Sequence, residues 1–113
     1  MAVYLDKSTN ILKGKSEWPM VTCHMIADSV EELFEMTNKI SLRPEWFQPW
    51  SHPHFDVSKT RQTRALAHGA KRLERAEFVG RIRTYRKKIL DDRVERERLW
   101  GMTRRYGGER KGV

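Results

Sequence analysis

The chain has 113 residues and a formal net charge of +8, with 38% apolar and 34% charged residues. That length supports one domain with a modest core, and the high charge points to some solvated extension. No apolar run approaches the roughly 20 residues of a membrane span, and the first residues lack the basic-then-apolar pattern of a secretion signal, so a cytoplasmic protein without a membrane partner is expected.

Val3–Leu5 with flanking Ala2 is a short apolar run ending at Asp6, and reads as a strand. Lys7 to Pro19 is polar and reads as a loop, with Trp18 folding back on the core. Met20–Ala27 has apolar residues on both parities, which suggests a strand covered on both faces. Cys23 lies in this run; as the single cysteine it excludes an internal disulfide and reads as a small buried hydrophobe. Ser29-Val30-Glu31-Glu32 has the spacing of a capping box and opens a helix. Its inward stripe is Val30, Leu33, Phe34, Thr37 and Ile40, and Pro44 stops any continuation. Residues 41–55 form a loop with prolines at 44, 49 and 53 and with Trp46, Phe47 and Trp50, leaving room for a short strand or none. A second helix runs from about Ser58 to His68, capped by Asp56 or Ser58, with Gly69 just past its end. Ala70–Glu74 reads as a strand, and a third helix begins near Arg75 or Glu77 with the stripe Phe78, Ile82, Tyr85 and Ile89.

Beyond Leu90 the apolar stripe fades. Asp92 with Arg96, and Arg93 with Glu97 in the reversed order, supply i,i+4 pairs worth about 0.3 kcal/mol each. Leu99, Trp100 and Met102 offer a surface that docks on this domain or on a second copy. From Gly107 the tail is expected to be disordered. The expected architecture is one α/β domain over residues 1–90, a small and largely parallel sheet with flanking helices, followed by a charged helical extension and tail over 91–113.

Several strings together resemble a known family: V-Y-L-D at 3–6, H-M-I-A-D-S-V-E-E-L at 24–33, W-F-Q at 46–48, H-P-H-F-D-V at 52–57, and R-x-x-x-A-x-x-x-G-A from Arg61. They resemble a small bacterial and phage family known as domain of unknown function 4031, up to about residue 90. The resemblance implies a compact domain, often of phage or prophage origin, and no established activity. Phe55 stands where that family typically has tyrosine, and the extension departs from its pattern.

The densest polar cluster is His52-Pro53-His54-Phe55-Asp56. In an extended backbone His52, His54 and Asp56 share one face, and Pro53 favours that geometry for His52. Imidazole and carboxylate suit zinc, manganese or iron, so His24, His52, His54 and Asp56 are candidate ligands for a divalent metal, although no cofactor is required by the pattern. Asp6 and Asp28 follow strands, where ligands of α/β sheets gather. Without metal, His54 beside a carboxylate suits acid–base work or simple structural bonding. Lys59, Arg61 and Arg64 open the second helix, and Arg61 is placed to hold a phosphate near His54, with Trp46 in the pocket wall.

Charge is split along the chain. Residues 1–57 hold 5 Lys/Arg and 8 Asp/Glu, a net of −3; residues 58–113 hold 18 and 7, a net of +11. Arg81, Arg83, Arg86, Lys87, Lys88, Arg93, Arg104 and Arg105 suit a nucleic-acid backbone or another polyanion, with Tyr85, Trp100 and Tyr106 interleaved for stacking. Three readings follow. In the first, which the sequence favours, a phage or bacterial accessory protein binds nucleic acid or a phosphorylated ligand through a rim of His24, His54, Asp56, Arg61, Asp6 and Trp46 and through its basic C-terminal half. The second is a metal-dependent phosphodiesterase or nuclease using the same His/Asp cluster. The third is a host-protein inhibitor or assembly factor acting through the C-terminal helix, which also suits a homo-oligomer.

Overall fold

A computed structural model of the chain describes residues 2–12 and 20–107. The expectation for Trp18 lies outside these residues, as do those for 13–19 and 108–113. Five short strands, β1 (Val3–Leu5), β2 (Asn10–Leu12), β3 (Met20–Ala27), β4 (Phe55–Ser58) and β5 (Lys71–Arg72), join one sheet. Among the described residues four α-helices accompany them: α1 (Val30–Lys39), α2 (Lys59–Ala67), α3 (Arg75–Asp91) and α4 (Arg93–Met102).

Strand β3 is the hub. Thr22 pairs with both Asn10 and Ser58, and Met25 with both Leu5 and Phe55. One residue has only two edges, so β4 fills one edge of β3 while β1 and β2 lie end to end along the other. These three ladders are antiparallel, and only β1–β5 is parallel. The expectation of a largely parallel sheet is therefore corrected to a mostly antiparallel one. Helix α1 leads the chain back along the sheet, and the segment 40–54 crosses it again, so β4 enters antiparallel to β3. Part of the expected loop 7–19 is also strand: β2 forms there and returns against β3.

The register between β1 and β2 is broken. From Leu5 to Asn10 the chain takes five steps, while β3 takes three from Met25 to Thr22. Two surplus residues leave the ladder as a bulge spanning Asp6–Thr9. Such bulges bend a strand and re-aim side chains.

Helix α1 begins as its sequence predicts: Ser29 Oγ accepts the Glu32 N–H at 3.2 Å. Glu32 does not close the capping box but accepts the backbone N–H of Ala2 at 2.9 Å, tying the helix to β1. Gly69 adopts φ +100 after α2, a left-handed conformation that disfavours side-chain-bearing residues. Leu5, Met25, Leu33, Ile40, Phe55 and Val57 are at most 1% exposed and form the core between sheet and helices.

The chain beyond Asp91 does not run on into solvent. Asp92 leaves the helical conformation at φ −109 and ψ 102, ends α3 and caps α4 by accepting the Glu95 N–H at 3.1 Å. Arg96 turns to the carbonyls of Ile89 and Leu90 instead of pairing with Asp92, while the Arg93–Glu97 pair forms at 2.9 Å. Leu99, Met102 and Tyr106 pack on the core, and the Tyr106 ring stacks on Phe34 at 5.5 Å. Trp100 stays 56% exposed. Gly107, expected to open the tail, closes the turn Thr103–Gly107 against Pro49, where an added Cβ would lie 2.9 Å from the proline ring. No helix among the described residues is long and apolar enough to cross a membrane.

Candidate metal centre

On the antiparallel β3–β4 ladder His24 lies directly opposite Asp56. Their neighbours Cys23, Met25, Phe55 and Val57 point to the core, so the pleat turns His24 and Asp56 to the opposite face. His54, two positions before Asp56, shares that face as the diagonal neighbour of His24. The two rings meet edge-on with centroids 5.4 Å apart. His24 Nε2 is 3.7 Å from Asp56 Oδ1, and one ligand atom from each of His24, His54 and Asp56 lies within 4.8 Å of the others.

Each of the three side chains is held from behind. The His24 Nδ1 faces Asp6 Oδ2 at 2.8 Å, and the His24 backbone N–H donates to Asp6 Oδ1 at 3.0 Å. Asp6 stands there because the β1–β3 register, continued one residue past Leu5, sets it opposite His24, and the bulge begins with it. Within that bulge the Ser8 hydroxyl and N–H donate to Asp6 Oδ1 at 2.7 and 3.2 Å. Burial works to raise the Asp6 pKa, but the hydrogen bonds from Ser8 and His24 prevail and hold it below the usual carboxylate value. The His54 Nδ1 lies 2.8 Å from the His52 carbonyl, which fixes the proton on Nδ1 and leaves Nε2 as an acceptor. Gln48 donates to Asp56 Oδ2 at 2.6 Å, and the bridge between Gln48 and His54 sets its distance from the strand.

His52 stacks on His54 with centroids 4.4 Å apart. Burial, reinforced by the charges around it, lowers the His52 pKa to about 4, and burial also lowers that of His54. Both rings are therefore neutral at pH 7, the form that binds metal. The His24 side chain is 33% exposed, so the centre opens to solvent through it. Metal-bound histidines characteristically give their second nitrogen to a carboxylate or carbonyl. His24 and His54 have those two kinds of partner.

The other expected residues fall elsewhere. Asp28 accepts the Tyr4 hydroxyl at 3.1 Å and lies 4.0 Å from Arg81, away from the three ligands. Arg61 does not join His54; it donates to the Ser41 carbonyl at 3.3 Å and, like Arg43, lies 5.8 Å from the centre of the exposed Trp46 ring. Lys59 and Arg64 are exposed on α2, while Phe47 is buried against Phe34 and Phe55. Much of the basic half is engaged within the fold. Arg86 donates twice to the Ser51 carbonyl, Lys88 reaches the Asp28 carbonyl, and Arg98 pairs with Glu31. Arg81 also covers the Tyr4 ring, and Arg105 lies over Tyr106. Arg83, Lys87, Arg93 and Arg104 are exposed.

Sequence reasoning did not single out Ser8, Gln48 or Arg72. Arg72 donates to the Asp6 carbonyl at 2.7 Å and to Gln62 at 2.9 Å, pinning the bulge to α2. The Asp6-Lys7-Ser8 spacing carried the only local signal, since aspartate commonly bonds the backbone two residues on.

No curated protein matches the chain, and no solved structure does. The family model described as "Protein of unknown function (DUF4031)" matches residues 3–85, a stretch that holds all five strands and every residue of the centre. The chain belongs to that family.

Proposed function

We propose that the protein is a divalent-metal-dependent hydrolase of phosphate esters, with His24, His54 and Asp56 as the metal ligands. The observation that carries this reading is the convergence of two imidazoles and a carboxylate, both imidazoles being held through Nδ1. Two histidines and one carboxylate suit zinc, manganese or iron(II). Three protein ligands leave coordination open for water and substrate, the pattern of catalytic rather than structural metals. Ligand atoms on one such ion sit about 3 Å apart, given bonds of about 2.0–2.2 Å, so small rotations of the three side chains close the site.

A metal held by His24, His54 and Asp56 would supply acidified water for hydrolysis, in which a water oxygen would bond phosphorus, the phosphorus–oxygen bond to the alcohol would break and the water proton would pass to the leaving alcohol. Lys7 and Arg75 line the cleft beside Asp6, and Arg72 donates to the Asp6 carbonyl; their charges favour an anionic substrate.

Calorimetric titration of the purified protein with Mn2+ and Zn2+, beside hydrolysis of bis-p-nitrophenyl phosphate, tests the reading. One equivalent of metal bound, lost in His24→Ala and His54→Ala together with the hydrolysis, is expected. Equal metal binding by wild type and both variants sinks it.

A further inference from the structure

Beside the metal ligands lies an open cleft of about 480 Å³. One wall comes from the sheet, its bulge and the segment before β4: Asp6, Ser8, His24 and His52. The facing wall is apolar and comes from α3, with Phe78 and Ile82 one turn apart. Lys7 from the bulge and Arg75 from the first turn of α3 stand at its rim. His24 belongs both to the cleft and to the metal centre, so a molecule in the cleft reaches the metal through it.

We infer that this cleft takes a single nucleotide, either free or as the terminal residue of a strand, with its phosphate between Arg75, Lys7 and the metal and its base against the apolar wall of α3. This inference rests on the metal-hydrolase reading for its chemistry, but its geometry is separate. A volume of this size falls in the range of small-ligand pockets and is too small for a folded partner. The two-sided lining fits a ligand with one polar, anionic end and one flat apolar body. Inorganic phosphate would leave the α3 wall uncovered. A cleft of this volume is too small for a duplex, whereas an unpaired terminal residue fits it. Lys7 already pairs with Glu74 across the rim, so an entering phosphate exchanges one anionic partner for another.

The experiment is a calorimetric titration of the full chain with AMP, adenosine and inorganic phosphate, each with and without saturating Mn2+. Three proteins are compared: wild type, Arg75→Glu and Ile82→Trp. Arg75 is exposed and Ile82 half-buried at the cleft surface, and an unchanged circular dichroism spectrum and thermal transition report that each variant has folded. AMP is expected to bind wild type more tightly than either adenosine or phosphate. Arg75→Glu should lower AMP affinity at least about tenfold, the loss of a charge-assisted contact. Ile82→Trp should block AMP and leave phosphate binding in place. Phosphate binding as tightly as AMP, or AMP affinity unchanged in both variants, overturns the inference. AMP binding without any Mn2+ binding, still lost in both variants, upholds the cleft and removes the metal reading. Mn2+ binding without AMP binding leaves the metal and removes the cleft.

Discussion

The carboxylate of Glu95, on α4, accepts the backbone N–H of Val30, at the start of α1, at 2.7 Å. The same oxygen takes the Tyr85 hydroxyl at 2.8 Å, and Glu95 is only 3% exposed. The first N–H groups of a helix have no partner within it. One of them is served here by a residue 65 positions away in sequence and outside the family match. Glu95→Ala strands two buried donors and is expected to cost about 2–4 kcal/mol, whereas Glu95→Gln keeps an acceptor and should cost less. Urea denaturation of the two variants checks the order. Equal stability of wild type and Glu95→Ala would show that the contact contributes nothing.

Tyr85 gives the chain an alkaline limit. Burial first, and then the bond to Glu95, raise its pKa well above the ordinary tyrosine value of about 10. The sign follows from proton counting: above pH 10 the unfolded chain releases the Tyr85 proton while the folded one keeps it. Stability is therefore full below pH 10 and falls as pH rises toward the folded value. In Tyr85→Phe this slope should flatten, at a cost of about 1 kcal/mol at neutral pH. Thermal denaturation between pH 8 and 11 measures both. Tyr4, whose pKa burial and Asp28 also raise, leaves a residual slope in the variant.

Asp6→Asn tests whether the bulge orients the metal ligand. The amide retains size and one acceptor but loses the charge facing His24 Nδ1. Metal affinity should fall about 10–100-fold, the usual effect of removing the partner behind a ligating histidine. The circular dichroism spectrum should be unchanged. Mn2+ titration reads the loss, and unaltered affinity would make Asp6 a structural residue alone.

Cys23 should resist alkylation. It is 1% exposed, and burial pushes its thiol up to about 11, so little thiolate exists at pH 8. Iodoacetamide should modify it only as fast as the domain opens, and in full once urea unfolds the chain. Rapid labelling of the native protein, followed by mass spectrometry, would contradict this.

Helices were the legible part of the sequence. Ser29 fixed the start of α1, Gly69 followed α2, and the spacing of Phe78, Ile82, Tyr85 and Ile89 marked α3. Each of those signals is local. Strand direction is not: alternating strand and helix suggested parallel pairing, but it depends on how often the 40–54 segment crosses the sheet, which no local pattern encodes. The metal centre divides the same way. His54 and Asp56 share a face by their spacing alone, and His24 joins them only through the β3–β4 register. Arg61 was expected near His54 because it is near in sequence. Helix α2 turns it instead toward Ser41 and Trp46. Glu95 gave no sign of its role at α1, because its partner there, Val30, lies 65 positions away in sequence.

The break between β1 and β2 has a consequence for how this centre is tied to the fold. The β1–β3 register, continued by one residue, sets Asp6 opposite His24, and the Asp6 N–H donates to the His24 carbonyl at 3.2 Å. A regular ladder would return the His24 N–H to the Asp6 carbonyl, but that carbonyl accepts from Arg72 and the N–H bonds the Asp6 carboxylate. The irregular edge thus gives one carboxylate a double grip on His24, by its main chain and by its ring.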